Sequence, residues 1–106
     1  MKRVSPYGME VNTYSIEIPN HNVLEVEAGT TGFGGGKPLN GGAVTYFRIE
    51  DAACTFMDAH SYKTSAGCNG FEVFLHGDAE LYTIIEALQY ITDVLKGEAQ
   101  LYKEEQ

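Results

Sequence analysis

Residues 11–28 read VNTYSIEIPNHNVLEVEA and contain two alternating segments separated by a turn signal. In residues 14–18 and again in residues 23–28, every second side chain is apolar and those between are mostly polar. A period of two is typical of half-buried strands, and the intervening PNHN favours a turn. The stretch therefore predicts a β-hairpin whose apolar side chains face the core, with Glu25 and Glu27 turned outward.

Three further segments predict strands in the rest of the chain. Residues 43–50 (AVTYFRIE) are rich in β-branched and aromatic side chains, residues 54–60 show a weaker pattern, and residues 71–76 alternate again. Residues 61–70 (SYKTSAGCNG) predict a polar turn region before the last strand, with Asn69-Gly70 as a strong turn signal. In the first of these strands we expect Thr45, Phe47 and Ile49 to form the core face.

A single helix is predicted to follow, from Asp78 as N-cap to Lys96, with Gly97 as the residue that ends it. Apolar residues recur at spacings of three and four, which indicates one broad buried stripe. The stripe consists of Leu81, Ile84, Ile85, Leu88, Ile91 and Leu95.

The predicted fold class is α+β, an antiparallel sheet of about five strands with one C-terminal amphipathic helix packed on one face. The length of 106 residues leaves room for one domain, residues 1–106. Residues 1–10 are expected to form a loose lead-in, and residues 98–106 either to fray or to extend the helix.

A glycine-rich stretch follows the hairpin at residues 29–42, GTTGFGGGKPLNGG, in which seven of the fourteen residues are glycine. Its spacing fits neither the Walker A motif, because Thr31 and Pro38 occupy required positions, nor GxGxxG, because Lys37 replaces the third glycine. Two interpretations remain open. The stretch is either a plain connection between strands or a loop that orders on a partner, with Phe33 and Lys37 as contacts.

The charge balance is strongly acidic, with 15 Asp and Glu against 7 Lys and Arg and a net charge of −8. Such a surface repels phosphates, so we expect no direct binding of nucleic acid. The more specific interpretation is that this acidic surface binds a basic protein partner. Its predicted contact residues are Glu25, Glu27, Glu50, Asp51 and Asp58.

No apolar run is long enough for a membrane span, and the N-terminus lacks the apolar segment of a secretory signal, so we expect a cytoplasmic protein. The two cysteines suggest no disulfide or catalytic thiol: Cys54 is expected to be structural and Cys68 exposed. The histidines show no metal-ligand spacing, so neither a metal nor a cofactor is predicted.

Two smaller sets of residues carry alternative functions. Arg48 shares a strand face with Tyr46, and the pair would bind a carboxylate or phosphate unless Arg48 is paired with a glutamate across the sheet. Asp58 and His60 share one side of a predicted strand and would supply an acid and a base.

Residues 23–49, VLEVEAGTTGFGGG…GGAVTYFRI, resemble a group of small uncharacterised proteins from phages and conjugative elements of Gram-positive gut bacteria. That group has an LEVE-like strand entering a GTTG turn and a GG-x-TYFRI-like strand after a glycine-rich loop. Here KPLN at residues 37–40 replaces a more acidic, histidine-containing segment. The resemblance implies a mobile-element context, in which small acidic proteins often inhibit CRISPR nucleases by offering carboxylates in place of DNA phosphates.

The leading hypothesis is thus a non-enzymatic counter-defence protein, an acidic inhibitor of a basic nucleic-acid-binding protein in the bacterial cytoplasm. The nuclease Cas9 is its most concrete target. The alternatives are a sponge for a small nucleotide signal, held by Tyr46, Arg48 and the glycine-rich stretch, and a small hydrolase. A homodimer formed through the exposed sheet face is left open.

Overall fold

The computed structural model describes residues 1–19, 23–32, 42–52 and 57–104, with side chains described as far as residue 98. Within these ranges the chain forms seven strands and one helix. They are β1 (Lys2–Val4), β2 (Glu10–Asn12), β3 (Tyr14–Pro19), β4 (Val23–Thr30), β5 (Thr45–Asp51), β6 (Met57–Lys63), β7 (Asn69–Leu75) and α1 (Asp78–Glu104).

The predicted α+β class is confirmed, with antiparallel strands and a C-terminal helix packed on the sheets. The described strands do not form one continuous sheet, however. They pair as β1-β2, β3-β4-β5 and β6-β7. Each predicted strand has a counterpart, and β1 and β2 are additional because residues 1–10, expected as a loose lead-in, contribute a hairpin.

The central sheet β3-β4-β5 carries the core on the face that α1 covers. Alternation along β4 turns Leu24, Val26 and Ala28 toward the helix, where all three are buried. Ile18 from β3 and Ala87 and Ile91 from α1 complete this cluster. The predicted orientation of the hairpin's apolar residues is therefore confirmed at its second strand.

The β1-β2 hairpin covers part of the opposite face of the central sheet, and Gly29 in β4 makes this close approach geometrically feasible. A Cβ atom at Gly29 would lie 2.1 Å from the backbone oxygen of Asn12. Val11 of β2 is itself buried. Gly29 therefore serves strand packing, although the sequence pattern assigned it to the glycine-rich connection. Residues 33–41 of that stretch lie outside the described ranges.

Helix α1 begins at Asp78, as predicted, but continues past Gly97 to Glu104. The first helical hydrogen bond runs from Leu81 N to Gly77 O, so Gly77 and not Asp78 occupies the N-cap position. Gly97 does not end the helix. Nothing lies within 4 Å of a Cβ atom built on it, so no packing contact at this position calls for glycine.

The buried side of α1 is rotated relative to the predicted stripe. Ile84, Ile91 and Leu95 pack on or in the core as expected, whereas three members of the stripe are exposed. The exposed members are Leu81, Ile85 and Leu88. Small and polar side chains lie inside instead, since Ala87, Thr83 and Glu80 are all buried.

Strands β6 and β7 form a separate two-stranded hairpin, here called the hairpin arm (residues 57–75). Its turn lies at residues 64–68, where Gly67 has a φ of 83° and its N–H donates to Thr64 O. The turn lies within the predicted turn region 61–70, but the expected signal Asn69-Gly70 does not form it, because both residues pair within β7. The ring of Tyr62, on the paired strand, lies over Gly70. A side chain at residue 70 would therefore clash with that ring.

Two glycine substitutions test this packing as a matched pair. We expect Gly29→Ala to destabilise the fold by about 1–3 kcal/mol, because the new methyl group meets the backbone of β2. Gly97→Ala should stabilise it by about 0.5–1 kcal/mol, since alanine is the better helix former and the site is open. Urea denaturation followed by circular dichroism measures both. Equal midpoints for Gly29→Ala and the wild type would contradict the placement of β2.

Candidate functional site

The candidate site is the face of the central sheet opposite the helix, where three glutamates lie side by side. Glu17 of β3 pairs with Glu25 of β4, and Glu25 pairs with Glu50 of β5. Neighbouring strands are roughly 4.8 Å apart, so this glutamate row (Glu17, Glu25 and Glu50) places like charges in direct succession. The row is accessible: the side chains of Glu25 and Glu50 keep 43% and 57% of their exposure, and Glu17 is exposed.

Arg48 limits the repulsion within the row. Its Nη2 donates to Glu25 Oε1 at 2.8 Å, and its Nη1 donates to Glu50 Oε1 at 3.2 Å. Arg48 pairs directly with Glu27 across the ladder, two residues along each strand from the row and on the same sheet face. One guanidinium therefore contacts three carboxylates, which raises the pKa of Arg48 above its ordinary value, with the Glu25 hydrogen bond as the largest cause.

Glu27 lies beneath this surface and is completely buried. Its Oε2 accepts from Arg3 Nε at 2.8 Å and from the Thr13 hydroxyl at 2.5 Å. Its Oε1 accepts from Arg3 Nη2 at 2.5 Å and from Arg48 Nη2 at 3.2 Å. The carboxylate is thus held bidentately by one arginine and bridged by a second, which is the strong form of a charge-assisted hydrogen bond.

These contacts lower the pKa of Glu27 to about 2, with the Arg3 hydrogen bonds as the largest cause. Burial acts in the opposite direction, because it disfavours a charged carboxylate, and the Thr13 and Arg48 hydrogen bonds add to the lowering. The pKa of Arg3 is raised in turn by its bond to Glu27. Glu27 is therefore ionised at neutral pH despite its burial.

The expectation that Glu27 faces solvent is wrong, and the reason is the β1-β2 hairpin. Alternation did place Glu27 on the side of the sheet away from the helix, but Arg3 and Thr13 cover it there. This contact becomes apparent only when the sequence is combined with the strand pairing of residues 2–12. Glu27 is consequently a structural residue in this geometry, and a direct contact with a partner would require the hairpin to move.

The proposed ligand site at Tyr46 and Arg48 is occupied by the protein itself. Arg48 is paired with glutamates across the sheet, which is the second of the two outcomes that the sequence left open. Tyr46 lies under Arg3, whose guanidinium carbon is 5.2 Å from the ring centroid. Arg3 and Arg48 are the two arginines of the chain, and both bind Glu27.

The remaining predicted contact residues do not form one surface. Asp51 lies at the end of β5 and pairs with Leu24, which places it on the helix side of the sheet. Asp58 lies on the hairpin arm with a side-chain exposure of 77%. Phe33 and Lys37 lie outside the described residues, as do Cys54 and His21. Glu25 and Glu50 are thus the members that the fold brings together, and Cys68 is exposed as expected.

Glu17 is the residue of the row that sequence reasoning missed. The alternation of both strands was visible in the sequence, but Glu17 joins the row only through the register that pairs it with Glu25. The assignment of outward side chains along each strand was made without that register. Arg3 was missed for a different reason, since the chain around it showed little periodicity.

Asp58 and His60 do not form an acid–base pair in this structure. His60 contacts Glu72 at 2.8 Å, whereas Asp58 contacts His76 at 3.8 Å. All four side chains are more than half exposed, three of them on the hairpin arm and His76 directly after it. Two separate contacts on an open, solvated surface lack the enclosure that shifts pKa values toward those needed for catalysis.

In the described part of the chain, no group of three or more His, Cys, Asp or Glu side chains has a geometry that could hold a metal ion. The described helix also lacks the combination of length and apolar character needed to cross a membrane.

Comparison with known proteins yields no relative. No protein-family model, no curated protein and no solved structure matches the chain.

The Glu27 network should appear as a distinct acid-sensitive contribution to stability. Because the folded-state pKa of about 2 lies below the ordinary value of 4.5, the contribution is complete above pH 4.5 and is lost as pH falls toward 2. A shift of this size corresponds to about 3 kcal/mol in the free energy of unfolding. Urea denaturation at several pH values between these limits measures it.

Glu27→Gln identifies the source of that acid sensitivity. The amide leaves Arg3 and Arg48 facing each other without the shared negative charge, so we expect a loss of about 3 kcal/mol at neutral pH. The difference in stability between this variant and the wild type should shrink as pH falls from 4.5 to 2. Glu17→Gln, on the same sheet face but exposed, is the control and should change stability by less than about 0.5 kcal/mol. A pH-independent difference would contradict the role of the Glu27 charge.

Proposed function

We propose that this protein acts by binding and not by catalysis, and that the glutamate row contacts a basic protein that handles nucleic acid. The observation that carries the proposal is the alignment of Glu17, Glu25 and Glu50 across three adjacent strands. Direct succession of like charges costs folding free energy, and here one arginine offsets only part of it. A basic partner would complete the neutralisation.

The distribution of positive charge supports this proposal. The two arginines are directed at Glu27, Glu25 and Glu50, so they do not present free guanidinium groups to an acidic ligand. With a net charge of −8 for the whole chain, the surface attracts a cationic patch over distances of about a Debye length. Such attraction accelerates association and weakens as salt concentration rises.

The resemblance of residues 23–49 to proteins of phages and conjugative elements gives the proposal its concrete form. In that context the basic partner is a CRISPR nuclease such as Cas9, whose nucleic-acid channel is positively charged. Side-by-side carboxylates on a rigid sheet would occupy sites that otherwise hold backbone phosphates. This form of the proposal rests on the resemblance together with the charge and size of the chain.

The two alternatives lack a supporting observation in the described residues. A nucleotide sponge would use Arg48, but a phosphate there has to displace glutamates that already bind it. A hydrolase would use Asp58 and His60, which contact different partners on an open hairpin. Neither arrangement is preorganised for its task.

The binding experiment measures inhibition of DNA cleavage by purified Cas9 from a Gram-positive host, and complex formation at low and high salt. We expect a complex that weakens with salt, and roughly tenfold weaker binding for the double variant Glu17→Lys and Glu50→Lys. The control is Glu86→Lys with Asp93→Lys, which changes the net charge equally on exposed helix positions. Glu27 is unsuitable for charge reversal because its substitution disturbs the fold.

Three results would count against the proposal. Equal weakening by both double variants would show that only net charge matters and not the glutamate row. Undiminished binding by Glu17→Lys and Glu50→Lys would move the contact to another surface. Unimpaired cleavage without a salt-sensitive complex would remove Cas9 as the partner.

A further inference from the structure

A groove of about 620 Å³ lies between β5 and the hairpin arm, and Ile84 of α1 contributes to its lining. On the β5 side it is lined by consecutive residues, 45–49. Successive side chains of a strand point to opposite faces of the sheet, so consecutive residues line one groove where it runs along the strand's edge. The groove therefore follows the edge of β5, which is the last strand of the central sheet.

Hydrogen bonds at the two ends of β5 show which of its backbone groups point toward this edge. Thr31 N–H donates to Val44 O just before β5, and Ala52 N–H donates to Val23 O just after it. Both bonds join direct partners when the register of the β4-β5 ladder is continued by one residue. Bonded and non-bonded pairs alternate along an antiparallel ladder. The even-numbered residues of β5 therefore bond to β4, and the odd-numbered residues direct their N–H and C=O groups away from it.

The outward backbone groups of β5 are available for pairing with another strand. In the part of the chain that the structure describes, no strand pairs with β5 on this side, and the outward groups of Phe47 and Ile49 have no hydrogen-bond partner. At about 3.4 Å per residue, residues 45–49 provide an edge about 14 Å long. Such a row of unpaired groups is a template for an additional strand.

The far wall of the groove would receive the side chains of that strand. Ser61 pairs with Phe71 and Ala59 pairs with Val73, so these four side chains lie on one face of the hairpin arm. All four line the groove. The ring of Phe71 is 68% exposed and lies 6.0 Å from the ring of Phe47 between centroids. Alternate apolar side chains of an added strand would bury Phe71 and Val73 without displacing any contact described above.

The other face of β5 carries charge up to the same edge. The glutamate row crosses β3 and β4 and ends on β5 at Glu50, whose side chain keeps 57% of its exposure. A residue directly opposite Glu50 on an added strand would be the next member of the row. A lysine or arginine there would form a favourable cross-strand pair, whereas a carboxylate would add to the repulsion. Arg48 is already paired with glutamates, so the position opposite it favours a neutral residue.

We propose that an extended segment of the protein partner binds in this groove as an additional antiparallel strand on β5. The segment has apolar side chains at the positions facing the hairpin arm and a lysine or arginine opposite Glu50. Backbone hydrogen bonds supply affinity in this type of recognition, and the alternate side chains supply specificity. The basic residue rests on the proposed function, whereas the backbone pairing and the apolar contacts do not.

The probe is the blocked peptide KVTVTV, which is titrated into the full isotope-labelled chain and followed by nuclear magnetic resonance. In the antiparallel register its lysine faces Glu50, its threonines face Arg48 and Tyr46, and its valines face the groove. We expect saturable binding with a Kd below roughly 1 mM. The control peptide EVTVTV places a carboxylate opposite Glu50 and should bind about fivefold more weakly.

Amide hydrogen exchange identifies the edge that the peptide occupies. Bound peptide should slow exchange of the Phe47 and Ile49 amides at least tenfold, because these N–H groups then donate to the added strand. The amides of Tyr46 and Arg48 already donate to β4 in the unbound protein, so their exchange should slow less.

A matched pair of methylated peptides tests the backbone pairing on the wild-type protein. Methylation of the valine nitrogens removes the donors that face β5 and should abolish binding. Methylation of the threonine nitrogens removes donors that point away from β5 and should change the Kd less than about threefold. The side chains are identical in both peptides, so the comparison isolates the backbone hydrogen bonds.

A matched pair of protein variants tests the same edge from the other side. Phe47→Pro removes the outward N–H of residue 47 and leaves the hydrogen bonds to β4 in place, a position that tolerates proline in edge strands. Phe47→Ala removes only the ring. We expect binding of KVTVTV to be at least fivefold weaker for the proline variant than for the alanine variant, with unchanged far-ultraviolet circular dichroism.

Three results would overturn the proposal: no saturable binding up to about 1 mM peptide, equal binding of both methylated peptides, or slowed exchange confined to β3. The outcomes also separate this site from the proposed function. Peptide binding at β5 without a Cas9 complex would support the strand site and remove Cas9 as the partner. A salt-sensitive Cas9 complex without peptide binding would support the glutamate row and remove the strand site.

Discussion

The carboxylate of Glu27 is shared by Arg3, Arg48 and Thr13, and the arrangement of the sheet's outer face depends on that shared charge. Removing a carboxylate from water is costly, and the cost is offset only when several donors converge on it. Here the donors come from three different parts of the chain: β1, β5 and the residue between β2 and β3. Their convergence joins the N-terminal hairpin to the central sheet.

The same network determines what the surface can offer. Because Arg3 and Arg48 both form salt bridges with Glu27, the positive charge on this face is already paired with a buried carboxylate. The exposed layer above it is acidic and consists of the glutamate row. On the helix side the situation is reversed, since Leu24, Val26 and Ala28 are buried in the core together with Ala87 and Ile91 of α1. The two faces of the central sheet thus differ chemically.

Local patterns predicted the elements well where periodicity was strong. The alternation in residues 23–28 correctly gave a strand with Leu24, Val26 and Ala28 inside, and the helix begins at Asp78 as expected. Predictions that relied on a single helix-ending glycine or a single turn dipeptide were less accurate. Gly97 lies inside the helix and Asn69-Gly70 inside a strand, because neighbouring packing outweighs the preference of one residue.

The candidate site was only partly accessible from the sequence. Glu25 and Glu50 were identified as outward carboxylates, but nothing local indicated that Glu27 lies under Arg3, which is 24 residues away. The position of Glu17 in the row depends on the register of β3 against β4, which pairs Glu17 with Glu25. Contacts between residues far apart in the chain, and the register of paired strands, depend on how the strands pair, which composition does not reveal.

The sequence by itself determined the fold class, the acidic charge and the two sides of β4, because periodicity and composition act residue by residue. Tertiary structure alone decided which glutamate is buried, which side of the helix stays exposed and how the strands divide into sheets. Those outcomes depend on free energies shared between distant residues. Whether a carboxylate becomes a surface charge or a buried anchor depends on the groups that the folded chain brings to it.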